Sequence, residues 1–324
     1  MFMSHRIKSH VVRSLVAIAA LLIAMTGAQA LAQSKPAKVS ISAANPGAPW
    51  GIIGASFSQI MNQQGVKSNV ELGGALSNVV TVSDGRTQLG FTAAAVIPLA
   101  QQGQKPFPRK IDNVRSIAAV MTNATHILVT NESGVKSLKD LKGRRFVSQP
   151  VGNVSQYAFQ LILESQGLKE SDLQLMRGGQ RFGADTVKNR KATGFTATAV
   201  FPAGNFANAF RSVPSNFLDI DEETFKYVNG KNPGLFRLSI PANTYEGQTK
   251  PIRTVATRAL LIVRDDMPEE HAYWLTKTLV ENLPTLRKSH KAVRRLDLNI
   301  MANPPALPLH AGAKRYYTEA GALK

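Results

Sequence analysis

Short runs of apolar and polar residues alternate along the chain, and each run is followed by a turn and a segment with apolar residues at helical spacing. Residues 38–43 alternate, residues 44–54 are rich in Gly and Pro, and residues 52–61 have the helical spacing. Further strands are predicted at residues 70–72, 87–93, 114–121, 126–130, 144–148, 193–199 and 254–263. Further helices are predicted at residues 76–84 and 154–166, from near Pro202, and at 268–286. This repeated order predicts an α/β fold with parallel sheets covered by helices.

Residues 137–142 carry both a start signal and a stop signal for a helix. Ser137 can cap the first turn, and Asp140 stands three residues later at the position of a capping-box partner. Gly143 supplies the left-handed residue with which many helices end. The spacing predicts a short helix here, followed directly by the strand at 144–148.

The N-terminal segment has the pattern of a secretory signal peptide. Three basic residues among the first thirteen precede an apolar run at 15–25, and small residues follow with cleavage predicted after Ala30 or Ala32. A membrane anchor, the alternative, would need roughly 20 apolar residues, and Thr26-Gly27 interrupts the run. We therefore predict a signal peptide at residues 1–32 and a mature chain exported to the periplasm.

Composition narrows the class of the mature chain. About 290 residues remain after the predicted cleavage, enough for two domains, and the chain contains no cysteine. A protein of this size without disulfides depends on its cores, which suits a periplasmic protein better than a small secreted scaffold. The net charge of the full sequence is +18, which falls to about +15 without the three basic residues of the predicted signal peptide, and an excess of this size favours anionic partners. The basic residues are scattered without interleaved aromatic residues, so we expect no nucleic-acid partner.

Glycine-rich and polar loops follow five of the predicted strands. These loops are residues 45–51, 73–78, 90–94, 152–155 and 196–198. In an open α/β sheet, ligands bind beyond the carboxyl ends of the strands, where helix N-termini present free backbone N–H groups. Taken singly, each of these loops could also be an ordinary turn that connects a strand to a helix. Their recurrence at the same structural position predicts one site for a small anion.

An ordered set of short motifs runs along the chain. They are Gly73-Gly74-Ala75-Leu76-Ser77-Asn78, Gln88-Leu89-Gly90-Phe91, residues 133–143, Gly152-Asn153-Val154-Ser155, residues 240–245, residues 258–263, and residues 308–313 with Tyr316-Tyr317. In this order they resemble the motifs of the TAXI family, the solute-binding subunits of tripartite ATP-independent periplasmic (TRAP) transporters. The resemblance covers essentially the whole mature chain. Two departures fall at the expected site: the first loop is Asn45-Pro46-Gly47-Ala48-Pro49-Trp50-Gly51, and Ala75 replaces a serine.

The resemblance implies a two-lobed periplasmic-binding-protein fold of type II, in which each lobe is a central sheet flanked by helices and the ligand lies in the interlobe cleft. We expect lobe I at residues 33–130 plus 252–324 and lobe II at 131–251. Closure would be a hinge motion near Thr130-Asn131 and Thr249–Thr254. We expect a monomer that binds a small organic anion, glutamate-like, dicarboxylate or another carboxylate, and delivers it to a TRAP-type membrane permease.

The candidate ligand-binding residues come from these loops. They are Asn45, Gly47, Trp50, Gly74, Ser77, Asn78, Thr92, Gly152, Asn153, Ser155, Thr196 and Thr198. Backbone N–H groups of residues 74–77 and 152–155 would hold the carboxylate, and Trp50 would cover the apolar part of the ligand. Capping of helices by Ser77 and Ser155, a turn role for Asn78 and a core position for Trp50 are the structural alternatives.

Catalytic motifs are weak or missing. The histidines show no metal-ligand spacing, there is no G-x-S-x-G elbow, and no cysteine is available as a nucleophile. Ser133-Gly134-Val135-Lys136 matches S-x-x-K, but its companion motifs S-D-N and K-T-G are missing. We predict that the chain is not an enzyme and needs no metal or cofactor. The alternative to transport is a periplasmic ligand sensor that presents its closed form to a membrane signalling partner; an exported hydrolase ranks third.

Overall fold

A computed structural model describes residues 34–323, so the predicted signal peptide lies outside the described residues. The strands are β1 Lys38–Ser42, β2 Lys67–Glu71, β3 Leu89–Ala93, β4 Val114–Thr130, β5 Arg145–Ser148, β6 Gln174–Arg177, β7 Gly194–Ala199, β8 Ser215–Phe217, β9 Phe236–Ile240 and β10 Ile252–Arg264. The α-helices are α1 Pro49–Gln63, α2 Ala75–Ser83, α3 Ile97–Gln102, α4 Val154–Ser165, α5 Gln180–Lys188, α6 Gly204–Ser212, α7 Glu222–Lys231, α8 Glu269–Glu281, α9 Leu283–Ser289, α10 Leu298–Ala302 and α11 Ala311–Glu319. No helix in the described part of the chain is long and apolar enough to cross a membrane.

The strands form one mixed sheet with the order β2-β1-β3-β10-β4-β7-β5-β6, while β8 pairs with β4 and β9 pairs with β10. Each end of the sheet is a parallel three-stranded unit built by two strand–helix–strand crossovers. One unit is β2-β1-β3 and the other is β6-β5-β7. The predicted parallel α/β architecture is therefore present twice, with the same strand order in each unit.

Two long antiparallel strands, β4 and β10, join the two units. They pair with each other from Val114 opposite Arg264 as far as Ala124 opposite Ala256. Beyond that rung β4 pairs with β7, and β10 pairs with β9. The strands thus change partners six residues before the predicted lobe boundary at residue 130. The division into lobes stays a prediction. We propose that the chain passes from one lobe to the other at the last pair that β4 and β10 share, Ala124 opposite Ala256.

Three local predictions differ from the structure. The strands predicted at 114–121 and 126–130 are one continuous strand, β4. The helix predicted at 268–286 is two helices, because Pro284 in the first turn of α9 has no N–H with which to continue α8. Residues 137–142 contain only a 3₁₀ turn, in which Asp140 accepts N–H bonds from Lys136 and Ser137 but the Ser137 side chain does not cap the turn.

A buried aromatic cluster fills the core next to β7. Phe195, Phe206 and Phe217 pack around His126, whose ring is stacked on Phe206 with the centroids 4.6 Å apart. His126 Nδ1 lies 2.9 Å from the carbonyl oxygen of Ala124, which is an acceptor only, so we assign the ring proton to Nδ1. Nε2 then accepts from the Tyr245 hydroxyl at 2.7 Å. Burial lowers the pKa of His126 from an ordinary 6.5 to about 4, so the ring is neutral in the folded protein at neutral pH.

Candidate functional site

A cleft opens where the carboxyl ends of the two parallel units face each other across β4 and β10. Its first chamber has a volume of about 570 Å³. The chamber is lined by Trp50, Gly74, Ala75, Leu76, Ser77, Ala93, Asn123, Gln149, Gly152, Asn153, Val154, Ser155, Gln180, Thr198 and Thr257. These include residues that follow β1, β2, β5 and β6, and residues at the carboxyl ends of β3 and β7. Such convergence of loops at strand ends is the expected place for a ligand in a sheet of this type.

A second chamber of about 630 Å³ continues the cleft. It shares Trp50, Asn123, Gln180 and Thr198 with the first chamber. Its other lining residues are Ala44, Ala48, Pro49, Met121, Ala199, Val200, Ala203, Gly204, Asn205, Asn208, His290 and Lys291. The two chambers together could hold a ligand larger than a simple amino acid.

The N-terminus of α2 opens into the first chamber and is fixed from below by Asn78. The Asn78 side chain is fully buried; its Nδ2 donates to the carbonyl oxygens of Ala43 and Phe91, each at 2.8 Å. Its Oδ1 accepts from the N–H of Gly74 at 3.0 Å. One amide therefore ties the ends of β1 and β3 to the loop before α2. The first N–H groups of a helix have no intrahelical acceptor, so those of α2 are available to an anion.

The N-terminus of α4 faces the same chamber from the other parallel unit. Asn153 caps this helix by accepting the N–H of Ser155 at 2.8 Å. The Ser155 hydroxyl oxygen accepts from the N–H of Thr198 at 3.0 Å, which links α4 to the end of β7. Because that oxygen acts as an acceptor towards Thr198, the hydroxyl proton remains to be donated to a ligand. Thr198 is itself held by a contact of 2.9 Å between its Oγ1 and Thr125 Oγ1.

Trp50 forms the wall that both chambers share. Its ring is stacked on Phe91 with the centroids 5.9 Å apart, which fixes the indole while leaving it half-buried. The turn that positions it depends on Gly51, since a Cβ there would come within 2.2 Å of the Asn45 carbonyl oxygen. A held aromatic face of this kind suits the apolar or ring portion of a ligand.

Among residues 34–323, no charged side chain lines the first chamber, and Lys291 is the only one that lines the second chamber beside the titratable His290. Burial and the neighbouring Lys291 lower the pKa of His290. His290 Nδ1 accepts the N–H of Ala292 at 3.0 Å. Within the described residues, no group of three His, Asp or Glu side chains could hold a metal ion. An anion in the first chamber would therefore be held by helix N-termini and neutral donors.

The structure brings seven of the twelve predicted site residues to the first chamber: Trp50, Gly74, Ser77, Gly152, Asn153, Ser155 and Thr198. Asn78, Thr92 and Thr196 lie beneath it, fully buried, and Thr92 Oγ1 donates to the Ala75 carbonyl oxygen at 2.8 Å. Asn45 and Gly47 are exposed and outside both linings. Their roles in binding stay predictions.

Four polar lining residues were not predicted: Asn123, Gln149, Gln180 and Thr257. Gln180 begins α5 directly after Gly178-Gly179, which repeats the Gly73-Gly74 pattern before α2, so a sequence signal existed for this residue. Gln149 follows β5, and its Nε2 donates to the Thr196 carbonyl oxygen at 3.3 Å. Asn123 and Thr257 lie inside the long strands and carried no comparable signal.

Comparison with known structures identifies the fold. A Xanthomonas citri protein solved with bound ATP matches with 14% identity over 88% of this chain and 97% of its own, with a TM-score of 0.52. The same protein bound to chloride gives 14% identity, the same coverage and a TM-score of 0.51. A putative periplasmic sulfonate-binding protein of Methylobacillus flagellatus has 16% identity over 90% and 89% of the two chains, with a TM-score of 0.49.

The similarity to the Xanthomonas citri protein agrees with the predicted α/β fold of central sheets flanked by helices, which is confirmed. Membership of the TAXI family in particular is not shown and stays a prediction. The sequence model of the NMT1-like family matches residues 41–321, which is most of the chain. The chain therefore belongs to the NMT1-like family.

Proposed function

We propose that this protein is an extracytoplasmic solute receptor that binds a small organic anion carrying one carboxylate or sulfonate group. The observation that carries the proposal is the meeting of two helix N-termini, those of α2 and α4, at one chamber without charged side chains. Each N-terminus carries a partial positive charge. The N–H groups of Gly74, Gly152 and Ser155, which the sequence predicted as donors to the ligand, are already bonded to Asn78 Oδ1, Gln156 Oε1 and Asn153 Oδ1, so the anion would use the other N–H groups of the two first turns. Two such ends match a single anionic group without requiring an Arg or Lys.

The remaining lining residues suggest how the body of the ligand is recognised. Asn123, Gln149 and Gln180 supply amide groups on three sides of the chamber, and Trp50 supplies an aromatic wall. A ligand with an apolar or ring portion beside its anionic group would use both. A dicarboxylate would place its second charge near Lys291 in the second chamber, the only fixed cation in the cleft lining.

The location and the partner follow from the sequence. The predicted signal peptide and the fold support a periplasmic protein that closes on its ligand and docks on a membrane transporter component. The type of permease rests on the motif resemblance alone, which points to the TRAP class. Purification of the mature protein together with a permease encoded beside its gene would test this assignment directly.

The binding proposal predicts a specific loss of affinity in Ser155→Ala. The mature protein, starting at Gln33, is screened by thermal shift against amino acids, keto acids, dicarboxylates, aryl carboxylates and sulfonates. A ligand at 100 times its Kd should add about 2.7 kcal/mol to the free energy of unfolding. Calorimetric titration of Ser155→Ala with the best ligand should show roughly tenfold weaker binding, since one charge-assisted hydrogen bond is lost.

Ser165→Ala is the matched control on the same helix. Its hydroxyl is also hydrogen-bonded, donating to the carbonyl oxygen of Ile162 at 2.7 Å and accepting from Gln166 Nε2 at 3.1 Å, but it lies at the other end of α4. This variant should bind the ligand with unchanged Kd. The proposal would be overturned if no anion in the panel stabilised the protein, or if both variants lost affinity equally.

A further inference from the structure

A groove separate from the two cleft chambers runs beside the crossover of β4 and β10. It has a volume of about 460 Å³. Its walls come from Val120–Thr122 of β4, Val200–Pro202 after β7, two residues of β9, Arg258 of β10 and the C-terminal segment 291–300. This size is within the range of small-molecule sites. The groove meets the second chamber at Met121, Val200 and Lys291, but its other lining residues are its own.

The charge of the groove is entirely positive. Arg258, Lys291, Arg294 and Arg295 line it, and no Asp or Glu from the part of the chain that the structure describes does so. Within residues 34–323, none of these four cations takes part in an ion pair. Most arginines that form ion pairs in this protein do so on open surface, whereas these four gather around one concave space. Such an arrangement attracts an anion.

Among these four cations, Arg258 has its side chain fixed by two contacts. Its Nη1 donates to the carbonyl oxygen of Asn303 at 2.7 Å, and its guanidinium carbon lies 5.1 Å from the centroid of the Phe236 ring. Its Nε is buried and has no hydrogen-bond partner among the described residues. A buried donor without an acceptor is costly, so an acceptor oxygen reaching this N–H would recover that cost. Burial lowers the pKa of Arg258, and the nearby charge of Asp297 raises it in part, so a bound anion would act in the same direction as Asp297.

Apart from Thr122, the other side chains of the groove lining are apolar. Phe201, Phe236, Leu238, Leu296 and Ile300 line it between the cations. A purely inorganic anion would leave these side chains in contact with water, whereas a ligand with an aryl or alkyl body would cover them. From the cations, the orphaned Arg258 N–H and this apolar wall together, we infer a second ligand site, which binds an amphiphilic monoanion: a carboxylate or sulfonate on an aryl or short alkyl body.

The site can be tested with 8-anilinonaphthalene-1-sulfonate, an amphiphilic monoanion whose fluorescence rises in apolar surroundings. Titration of the mature protein should give saturable binding at one site per chain, displaced by decanoate. Arg294→Glu/Arg295→Glu should weaken the dye's Kd at least tenfold. Both residues are exposed, so this variant should fold normally. Arg258→Lys keeps the charge but loses the Nε–H, and it should weaken binding about fivefold.

Lys139→Glu/Lys142→Glu is the matched control, because it makes the same change in net charge at exposed residues far along the chain. It should leave the dye's Kd within twofold of the wild-type value. Equal weakening by the two charge-reversal pairs would show non-specific attraction and overturn the inference. So would loss of dye binding in Trp50→Ala, which would place the dye in the cleft. Ser155→Ala should not affect the dye, so failure of the receptor proposal and failure of this one can be told apart.

Discussion

Replacing Asn78 with aspartate is expected to lower the free energy of unfolding by about 2–6 kcal/mol. The side chain is fully buried, and its Nδ2 donates to two carbonyl oxygens, those of Ala43 and Phe91. An aspartate has nearly the same shape but no N–H to donate. Each buried carbonyl left without a donor costs about 1–3 kcal/mol, and an ionised carboxylate would also face both oxygens at close range. Urea unfolding of the wild type and Asn78→Asp at pH 7 measures the difference.

The variant should also respond to pH in a characteristic way. Acidification would protonate the new carboxyl group and let it donate one of the two missing hydrogen bonds, so the deficit relative to the wild type should shrink as the pH falls. Asn299→Asp on α10 is the control, since Asn299 is exposed and its side chain has no hydrogen-bond partner among the described residues. It should change stability by less than about 0.5 kcal/mol. A stable Asn78→Asp with the wild-type midpoint would contradict the role of this amide as a clamp.

Asn78 also shows which feature of the site could not be predicted from the sequence. The Gly73-Gly74 turn, the following helix and the polar residue in its first turn were all readable locally. The direction of that side chain was not, because it depends on how α2 packs against β1 and β3. Ser77, one position earlier, is exposed at the cleft, while Asn78 is buried beneath it. A single residue step along a helix turns a side chain by about 100°, enough to separate a ligand contact from a structural clamp.

The clearest difference between the predicted and the observed fold lies in β4, which is one strand where the sequence predicted two. The polar stretch Thr122-Asn123-Ala124-Thr125 read as a break between two strands. In the structure these residues continue β4. Asn123 lines the cleft, and the Thr125 hydroxyl is hydrogen-bonded to that of Thr198 on the neighbouring strand β7. A polar residue inside a strand becomes favourable where the sheet borders a ligand chamber. The strand–helix units were predictable since their signals are local, whereas this crossover is a property of the whole sheet.

The stability of the protein is expected to rise steeply between about pH 4 and pH 6.5 because of His126. The folded pKa is about 4, whereas an unfolded chain has the ordinary value near 6.5. Between these values the unfolded chain binds a proton that the folded protein does not, so the free energy of unfolding increases with pH and becomes level above 6.5. At about 1.4 kcal/mol per pH unit, the contribution lost by pH 4.5 is roughly 2–3 kcal/mol. The measurement is urea unfolding at intervals from pH 4.5 to 7.5.

A pair of variants separates the charge of His126 from its hydrogen bonds. His126→Gln cannot titrate in this range, so its stability curve should be flatter than that of the wild type, with the gap between them narrowing as the pH falls. Tyr245→Phe removes the hydroxyl that donates to Nε2 and accepts the N–H of Ala203, so it should lower stability while keeping the slope. His290 and His310, whose pKa values burial also lowers, leave a residual slope in every variant, which cancels in the comparison. Parallel curves for the wild type and His126→Gln would mean that the ring is protonated in the folded protein. Nδ1 and Nε2 would then both have to donate, although Nε2 faces the Tyr245 hydroxyl at 2.7 Å.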